Sequence, residues 1–224
     1  MKFEHTAVTG WEAAFRGMRN PLESWDRSDS HWTDFCIEGF SKPISTNYTI
    51  GEKDMELAQR LISGGPPHSK FLRYIHVSVD ITAPIYWWKE FDTYKVGTVA
   101  NSTSTMHKLA STPITLDCFE IDDYNSDIID KLNDPYLIEI KGIIGFLEEL
   151  RQKYNETKDK RYWKELIRWL PESWLQTRTV DLNYEILRNI YHWRKDHKLT
   201  EWSVSFVEWV KSLPYANELI LFDN

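Results

Sequence analysis

The sequence has no apolar stretch long enough to cross a membrane. A spanning helix needs about 20 consecutive, predominantly apolar residues, and no such run occurs among the 224 residues. The first ten residues, MKFEHTAVTG, also lack the apolar centre of a signal peptide. We therefore predict a cytoplasmic protein that does not interact with membranes.

Cysteine is scarce, and basic residues are not in excess. The two cysteines, Cys36 and Cys118, are far apart and form no CxxC motif, so we predict buried apolar side chains in a reducing compartment. The seven histidines include no HExxH pattern and no Cys/His cluster, and we predict no metal site. A formal net charge of −7 argues against an extended DNA or RNA surface, because phosphate binding needs a clustered basic face.

Aromatic residues are the abundant class, with 11 tryptophans and 11 tyrosines. These side chains bury large areas at low entropic cost, which is typical of cores, oligomer interfaces and ring-stacking pockets. The composition, 42% hydrophobic and 27% charged, is that of a globular protein. The length favours a single domain over residues 1–224.

The first two thirds of the chain predict both strands and helices. Apolar residues at helical spacing predict helices over residues 10–19 and 51–63. Residues 73–81 alternate apolar and polar side chains, which predicts a half-buried strand, with Thr82 as the cap of a following helix. A second strand is predicted within residues 113–121. The polar segment 22–34 is predicted to be an ordered loop that covers a ligand or packs on a neighbour.

The last third predicts mostly helix. A short acidic helix is predicted over residues 124–132, and apolar stripes predict helix from residue 138 onward. Asp181 is a candidate cap for a helix over residues 182–197, and a last helix is predicted over 200–213. Because strands come early and helices dominate later, the predicted class is α+β.

Two polar residues of the predicted helix 182–197 are candidates for ligand binding. Asn183 and Arg194 are eleven residues apart, about three turns, which places them on nearly one face roughly 16 Å apart. A guanidinium forms bidentate contacts with phosphate, and an amide can bind the edge of a base or flavin. The alternative is that both residues flank an apolar stripe on a surface helix.

The C-terminal segment 166–202, LIRWLPESWLQTRTVDLNYEILRNIYHWRKDHKLTEW, contains polar residues in a characteristic order. The order comprises Leu170–Pro171, Thr177, Asn183, Asn189, Arg194 and Glu201–Trp202. This pattern resembles the C-terminal block of the flavin-dependent thymidylate synthases.

The resemblance implies roles for individual residues of this block. Arg194 and Arg168, the latter one position from the family's arginine, are implied to contact a pyrimidine nucleotide. Asn183 and Asn189 are implied to lie near a flavin. Glu185 departs from the pattern, since the family tends to place a second flavin-contacting arginine there. Reversing a charge beside a pyrophosphate is expected to weaken flavin binding.

A polar loop, Asn101-Ser102-Thr103-Ser104, offers hydroxyl and backbone N–H donors that suit a phosphate. By composition alone it is an ordinary polar loop. The family has an Ala-Pro-apolar lead-in to a helix, which Ala83-Pro84-Ile85 match, and then an Arg-His-Arg triplet. That triplet falls on Thr93-Tyr94-Lys95, so Lys95 is its only cation. The family then has an Asn-Glu-x-Ser-x-Arg-Tyr run. An ungapped alignment from Pro84 places the serine of this run on Thr103. An alignment shifted by one residue instead matches Asn101 to its asparagine and Ser104 to its serine. The resemblance implies that Lys95, Asn101, Thr103 and Ser104 bind the nucleotide.

The segment GGPPHS at residues 64–69 precedes the predicted strand. The family often has Gly-His-x-Ser there, followed by a Glu-His pair. His68 matches the first histidine and is implied to lie at the flavin site, while Arg73–Tyr74 occupy the position of the pair.

The resemblance implies an α+β fold of the thymidylate-synthase-complementing type, with a small antiparallel sheet and a helix-rich C-terminal half. It also implies methylation of dUMP to dTMP or a close variant, with FAD, NADPH and methylenetetrahydrofolate, in a homotetramer whose sites lie between subunits. The alternative is a non-catalytic nucleotide-binding protein that sequesters or senses its ligand, which the missing triplet and Glu185 favour.

Overall fold

The computed structural model describes residues 1–35, 45–121 and 135–223. The strands are β1 (Lys2–Thr9), β2 (His31–Phe35), β3 (Ser45–Thr49), β4 (His76–Pro84), β5 (Val99–Ser102) and β6 (Leu175–Asn183). A small sheet has the strand order β1-β4-β6-β5, and a separate antiparallel pair joins β2 to β3, with His31 opposite Thr49. Cys36 and the predicted acidic helix 124–132 lie outside the described residues.

Helices surround these strands in sequence. They are α1 (Trp11–Arg19), α2 (Glu52–Ser63), α3 (Ile85–Phe91), α4 (Thr105–Lys108), α5 (Pro135–Thr157), α6 (Lys160–Arg168), α7 (Tyr184–Arg194), α8 (Val207–Lys211) and α9 (Ala216–Leu219). Short 3₁₀ turns span Asn20–Leu22, Trp25–Arg27, Ser69–Tyr74 and Leu116–Cys118, and a π-helical stretch spans Glu201–Phe206. In the described part of the chain, no helix is both long and apolar enough to cross a membrane.

The described residues form two compact units. The first comprises Met1–Glu4, Asp80–Lys95 and Ala100–Val180, and the second comprises His5–Val79, Val96–Val99 and Asp181–Asn224. Each has its own apolar core. In the first unit it includes Leu109, Ile114, Phe119, Leu147, Leu150 and Leu166; in the second, buried aromatic side chains include Phe15, Tyr184, Trp202 and Phe206. The single domain over 1–224 stays a prediction.

The helices α1 and α2 confirm the sequence prediction, and so does the alternating strand. Val77, Val79 and Ile81 are buried in β4. The prediction that Thr82 caps a helix is wrong, because β4 continues to Pro84 and the Thr82 hydroxyl lies 2.7 Å from that of Thr177. The first two N–H groups of α3 instead donate to backbone carbonyls: Ile85 N to Trp174 O and Tyr86 N to Glu172 O, both at 3.1 Å.

The predicted helical block from residue 166 contains a strand, β6. Val180 and Leu182 are buried on one face of it while Asp181 between them is exposed. Asp181 lies in the strand with its Oδ1 3.3 Å from His76 Nδ1, so the prediction that it caps a helix is wrong. The observed cap is Asn183, whose Oδ1 accepts a hydrogen bond from Ile186 N at 3.1 Å.

The strand predicted within residues 113–121 is also wrong. That segment contains the turn Leu116–Cys118 and forms a single isolated β-bridge, in which Phe119 lies opposite Trp174. Cys118 carries a free, partly exposed thiol, so its predicted burial holds only in part. The last helix is confirmed, but its first six residues are π-helical. The spacing of apolar residues does not distinguish such a short π-helix from an α-helix.

The segment 22–31 packs within its own unit. Asp54 on α2 accepts hydrogen bonds from Arg19 Nε at 2.5 Å, Ser28 Oγ at 2.5 Å and Ser30 Oγ at 2.6 Å. Asp29 accepts from the backbone N–H groups of residues 53 and 54, at 3.0 and 3.1 Å. The segment therefore caps α2 and surrounds a buried carboxylate, while residues 31–34 belong to β2.

Candidate functional site

The first turn of α7 is built around Asn183. The side chain is 8% exposed, and its oxygen is committed to the helix cap. Gly97 packs directly against this turn with a φ of +77°, and a β-carbon there would lie 2.8 Å from Ile186 Cδ1. Only glycine combines this backbone conformation with so close an approach. The arrangement leaves the Asn183 amide nitrogen as the hydrogen-bonding group that a ligand could use.

Glu185 in the same turn is paired with Arg73. The Arg73 guanidinium makes two hydrogen bonds to the carboxylate, one of them from Nη2 to Oε1 at 3.2 Å and the other from Nε to Oε2. The hydrogen bond to Glu185 holds the pKa of Arg73 above its ordinary value. Glu185 therefore does not present an uncompensated negative charge at the start of α7.

The other end of α7 carries Arg194. Its guanidinium lies over the ring of Trp202, 4.9 Å from the centroid, and Trp202 is fully buried. This cation–π contact fixes the direction of the side chain. Leu187 and Ile190 are fully buried between the two ends, whereas Asn189 is exposed. α7 thus presents an amide at its first turn and an oriented guanidinium at its last residue.

His68 opens the turn Ser69–Tyr74 and is exposed. It lines a cavity of about 730 Å³, together with Lys70, Arg73, Phe71 and Leu61 among others. This volume lies in the range of small-molecule sites. Two cationic side chains and one imidazole on a partly apolar wall suit a ligand with a ring and an anionic group. The sequence does not predict that Lys70 and Arg73 face a cavity, because six residues are too few to show the period of a 3₁₀ turn.

The polar loop that follows β5 is anchored to β6. Thr103 donates its N–H to Thr177 O at 2.9 Å, and its carbonyl accepts from Gln176 Nε2 at 3.1 Å. Ser104 caps α4, accepting from His107 N at 3.2 Å, and its Oγ lies 2.7 Å from His107 Nδ1. The Ser104 hydroxyl is therefore engaged within the loop. The Thr103 hydroxyl has no protein partner among the described residues.

The remaining predicted residues of this unit are at the surface. Lys95 and Asn101 are exposed. Arg168 on α6 is half-exposed and paired with Glu165, which also accepts from Trp169 Nε1 at 3.0 Å. This pairing orients Arg168 along its own helix.

Arg178 is a guanidinium of this unit that the sequence did not single out. It lies 4.2 Å from the ring centroid of Trp88, and its Nη1 donates to Asp92 Oδ1 at 2.8 Å. Its Nε donates to Gln176 Oε1 at 3.0 Å. The alternation of β6 would have placed Gln176 and Arg178 on one face, but residues 175–183 were not interpreted as a strand.

The structure thus divides the predicted residues into two sets. Lys95, Asn101, Thr103, Ser104 and Arg168 belong to the first unit, and His68, Asn183, Asn189 and Arg194 to the second. Among the described residues, no group of three or more His, Cys, Asp or Glu side chains is placed to hold a metal ion.

Neither a protein-family model nor a curated protein sequence matches this chain. Solved structures do. A flavin-dependent thymidylate synthase, ThyX from Helicobacter pylori complexed with FAD and dUMP, matches with a TM-score of 0.65 and 19% identity, over 98% of each chain. A second structure, thymidylate synthase X from the same organism with FAD and dUMP, matches with a TM-score of 0.64 and 18% identity, over 96% of this chain and 93% of the other. The chain has the thymidylate synthase X fold. The predicted α+β class and fold type are confirmed, while the roles of the individual residues stay predictions.

Proposed function

We propose that the protein is a flavin-dependent enzyme that transfers a one-carbon unit to a pyrimidine deoxynucleotide, from dUMP to dTMP or a close variant. The observation that carries the proposal is the arrangement of side chains at the two ends of α7. The amide of Asn183 caps its first turn, and the guanidinium of Arg194, its last residue, is oriented by Trp202. The likeness in fold to two structures that hold FAD and dUMP supports it.

The described side chains fit a flavin nucleotide. The 730 Å³ cavity offers an apolar wall with the cations Lys70 and Arg73, and His68 lies at the same cavity. Asn183 retains an amide donor for a ring carbonyl, because its oxygen is already used in the cap. When bound, FAD would supply the hydride chemistry, with the folate donor providing carbon and NADPH providing electrons.

The chain's own contribution would be binding and orientation. Arg194 would hold the anionic end of the nucleotide, since a guanidinium fixed against Trp202 loses little further entropy on binding. Asn189 would contact the flavin from the exposed side of α7. Thr103, Lys95, Asn101, Ser104 and Arg168 are further candidates for contacting a nucleotide. We also propose a cytoplasmic homotetramer.

A non-catalytic, nucleotide-sequestering or nucleotide-sensing role is the second candidate. The observation that favours it is the triplet position Thr93-Tyr94-Lys95. The Thr93 hydroxyl donates to Glu90 O at 2.7 Å, and Lys95 is exposed. The single ammonium of Lys95 does not reproduce the two guanidinium groups of the Arg-His-Arg triplet.

Ligand binding separates these candidates. The purified protein is examined for flavin absorbance and for FAD in the supernatant after denaturation, then titrated with FAD and dUMP by calorimetry and thermal shift. Binding of both ligands, with dTMP formed when NADPH and methylenetetrahydrofolate are added, is the expected result. Binding of dUMP without FAD would favour the second candidate. Binding of neither would refute both.

Two matched substitutions test the α7 assignment. Asn183→Asp keeps the capping oxygen but removes the amide donor, so FAD affinity should fall while thermal stability is retained. Arg194→Gln should weaken dUMP binding by about tenfold or more, as expected when a charge-assisted hydrogen bond is lost. Arg161→Gln is the control, because Arg161 is highly exposed on another helix. Unchanged ligand affinities in the first two variants would contradict the assignment.

A further inference from the structure

Arg178 is held by three contacts that fix the plane and direction of its guanidinium. The group stacks on Trp88, which is fully buried and donates its indole N–H to Gln176 O at 2.9 Å. Its Nη1 is bound to Asp92 and its Nε to Gln176. A guanidinium has five N–H donors in a planar fork, and among the described residues Nη2 has no protein acceptor.

The Arg178 guanidinium belongs to a hydrogen-bonded cluster that includes Thr103 of the polar loop. Gln176 uses its oxygen for Arg178 Nε, while its Nε2 donates to Thr103 O at 3.1 Å and lies 3.4 Å from Thr105 Oγ1. Asp92 immediately precedes Thr93-Tyr94-Lys95, where guanidinium groups are missing. The Arg178 side chain is 16% exposed, so a ligand atom can reach it.

We propose that Arg178 binds a phosphate group and supplies the guanidinium fork that the segment Thr93-Tyr94-Lys95 lacks. This inference rests on the proposed function. A planar fork already fixed in place pays little entropy when it binds a phosphate oxyanion. The role of Asp92 and Gln176 is to position the fork. The phosphate is either the 5′-phosphate of the nucleotide or the diphosphate of the flavin.

The test compares each phosphorylated ligand with its phosphate-free counterpart. Affinities for dUMP and deoxyuridine, and for FAD and riboflavin, are measured by calorimetry on the full chain and on Arg178→Gln. We expect one phosphorylated ligand to lose about tenfold or more of its affinity in the variant, while its phosphate-free counterpart is unaffected. The pair that changes identifies the source of the phosphate. Arg161→Gln, which removes an exposed arginine of the same unit, should change neither pair. Unchanged ratios in Arg178→Gln would overturn the inference.

Asp92→Asn provides an independent measurement, because Asp92 is half-exposed and its replacement leaves the stacking of Arg178 intact. The asparagine oxygen still accepts from Nη1, but the competing negative charge is gone. The same phosphorylated ligand should therefore bind several-fold more tightly to Asp92→Asn, and its phosphate-free counterpart equally well. If neither phosphorylated ligand gains affinity, the inference is wrong even if Arg178→Gln fails to fold.

Failure of the proposed function remains distinguishable from failure of this inference. If the chain binds none of the four ligands, inorganic pyrophosphate becomes the probe. Pyrophosphate binding that is lost in Arg178→Gln would support the phosphate site without the proposed enzyme. Absence of pyrophosphate binding in the unmodified chain would overturn the inference that Arg178 binds a phosphate group.

Discussion

Arg73 and Glu185 form a two-point ion pair between the turn Ser69–Tyr74 and the first turn of α7. The family resemblance places an acidic residue at the position of Arg73 and an arginine at that of Glu185. Both charges are opposite to those of that pattern, and the structure brings the two residues into contact. A paired reversal preserves the attraction between the two elements, whereas a single reversal would have produced repulsion.

The first prediction concerns this exchange of charges. Arg73→Glu should lower the free energy of unfolding by about 0.5–1 kcal/mol, because two carboxylates then face each other; the half-exposed position and solvent screening limit the effect. Adding Glu185→Arg should restore most of this loss. Urea unfolding of the two single variants and the double variant measures the coupling. Strict additivity of the two single effects would contradict the ion pair.

The same double variant has a consequence for flavin binding. Arg73→Glu combined with Glu185→Arg places a guanidinium at the start of α7, where the resemblance implies a flavin-contacting arginine. We expect FAD to bind more tightly to the double variant than to Arg73→Glu alone, which has the same side chains in the cavity but no guanidinium at the start of α7, as measured by calorimetry. Equal or weaker binding would argue that the flavin does not contact this turn.

The second prediction concerns the buried carboxylate of Asp54. Asp54→Ala should lower the free energy of unfolding by about 3–5 kcal/mol, because it leaves the buried guanidinium of Arg19 without its partner. Denaturant unfolding measures the loss. Glu56→Ala is the matched control on the same helix, where the carboxylate is exposed, and it should change stability by less than about 0.5 kcal/mol. Similar losses in the two variants would contradict the role of Asp54.

Sequence patterns predicted those elements whose periodicity is set by a single buried face. The helices α1 and α2 and the strand β4 each have such a face, and each lies close to its predicted position. β6 was missed because its apolar alternation covers only Val180 and Leu182, after a stretch of polar residues that bind other strands and loops. Local propensity contains little information on such tertiary contacts.

The arrangement of the candidate site residues was predictable only where those residues follow one another along one element. The positions of Asn183 and Arg194 on α7 followed from spacing, although the helix begins two residues later than predicted. The contacts of Arg73 with Glu185 and of Arg178 with Asp92 join residues that are 112 and 86 positions apart. A single sequence does not indicate such pairs, since each partner alone looks like an ordinary surface charge.

The third prediction is a loss of stability in acid. Hydrogen bonds from Arg151, with Nε and Nη2 at 2.7 and 2.6 Å, lower the pKa of Glu148 to about 2, and a bond from Ile114 N adds to this. Because the folded pKa lies below the ordinary value, the stabilisation is complete above about pH 4.5 and is lost as the pH falls towards 2.

Glu148→Gln tests this origin. The variant should be less stable than the natural chain at pH 7, and its stability should fall less steeply between pH 5 and about 2. Chemical unfolding at a series of pH values measures both. Glu149→Gln on the same helix is the control, since Glu149 is exposed and its partner is the half-exposed Lys153. If Glu148→Gln follows the pH profile of the natural chain, another group causes the acid sensitivity.

The last prediction concerns Gly97, whose positive φ and close contact with Ile186 exclude a side chain. Gly97→Ala should lower the free energy of unfolding by about 1–3 kcal/mol, because it combines backbone strain with a steric clash. The strain of the positive φ is the larger part, since the added carbon meets only the end of the Ile186 side chain, which can rotate away. Gly142→Ala and Gly145→Ala are the controls: both positions are in α5 with open space around the added carbon, and each should stabilise by about 0.5–1 kcal/mol. A stabilising effect of Gly97→Ala, measured by the same unfolding experiment, would show that the contact between this glycine and α7 is not as close as described.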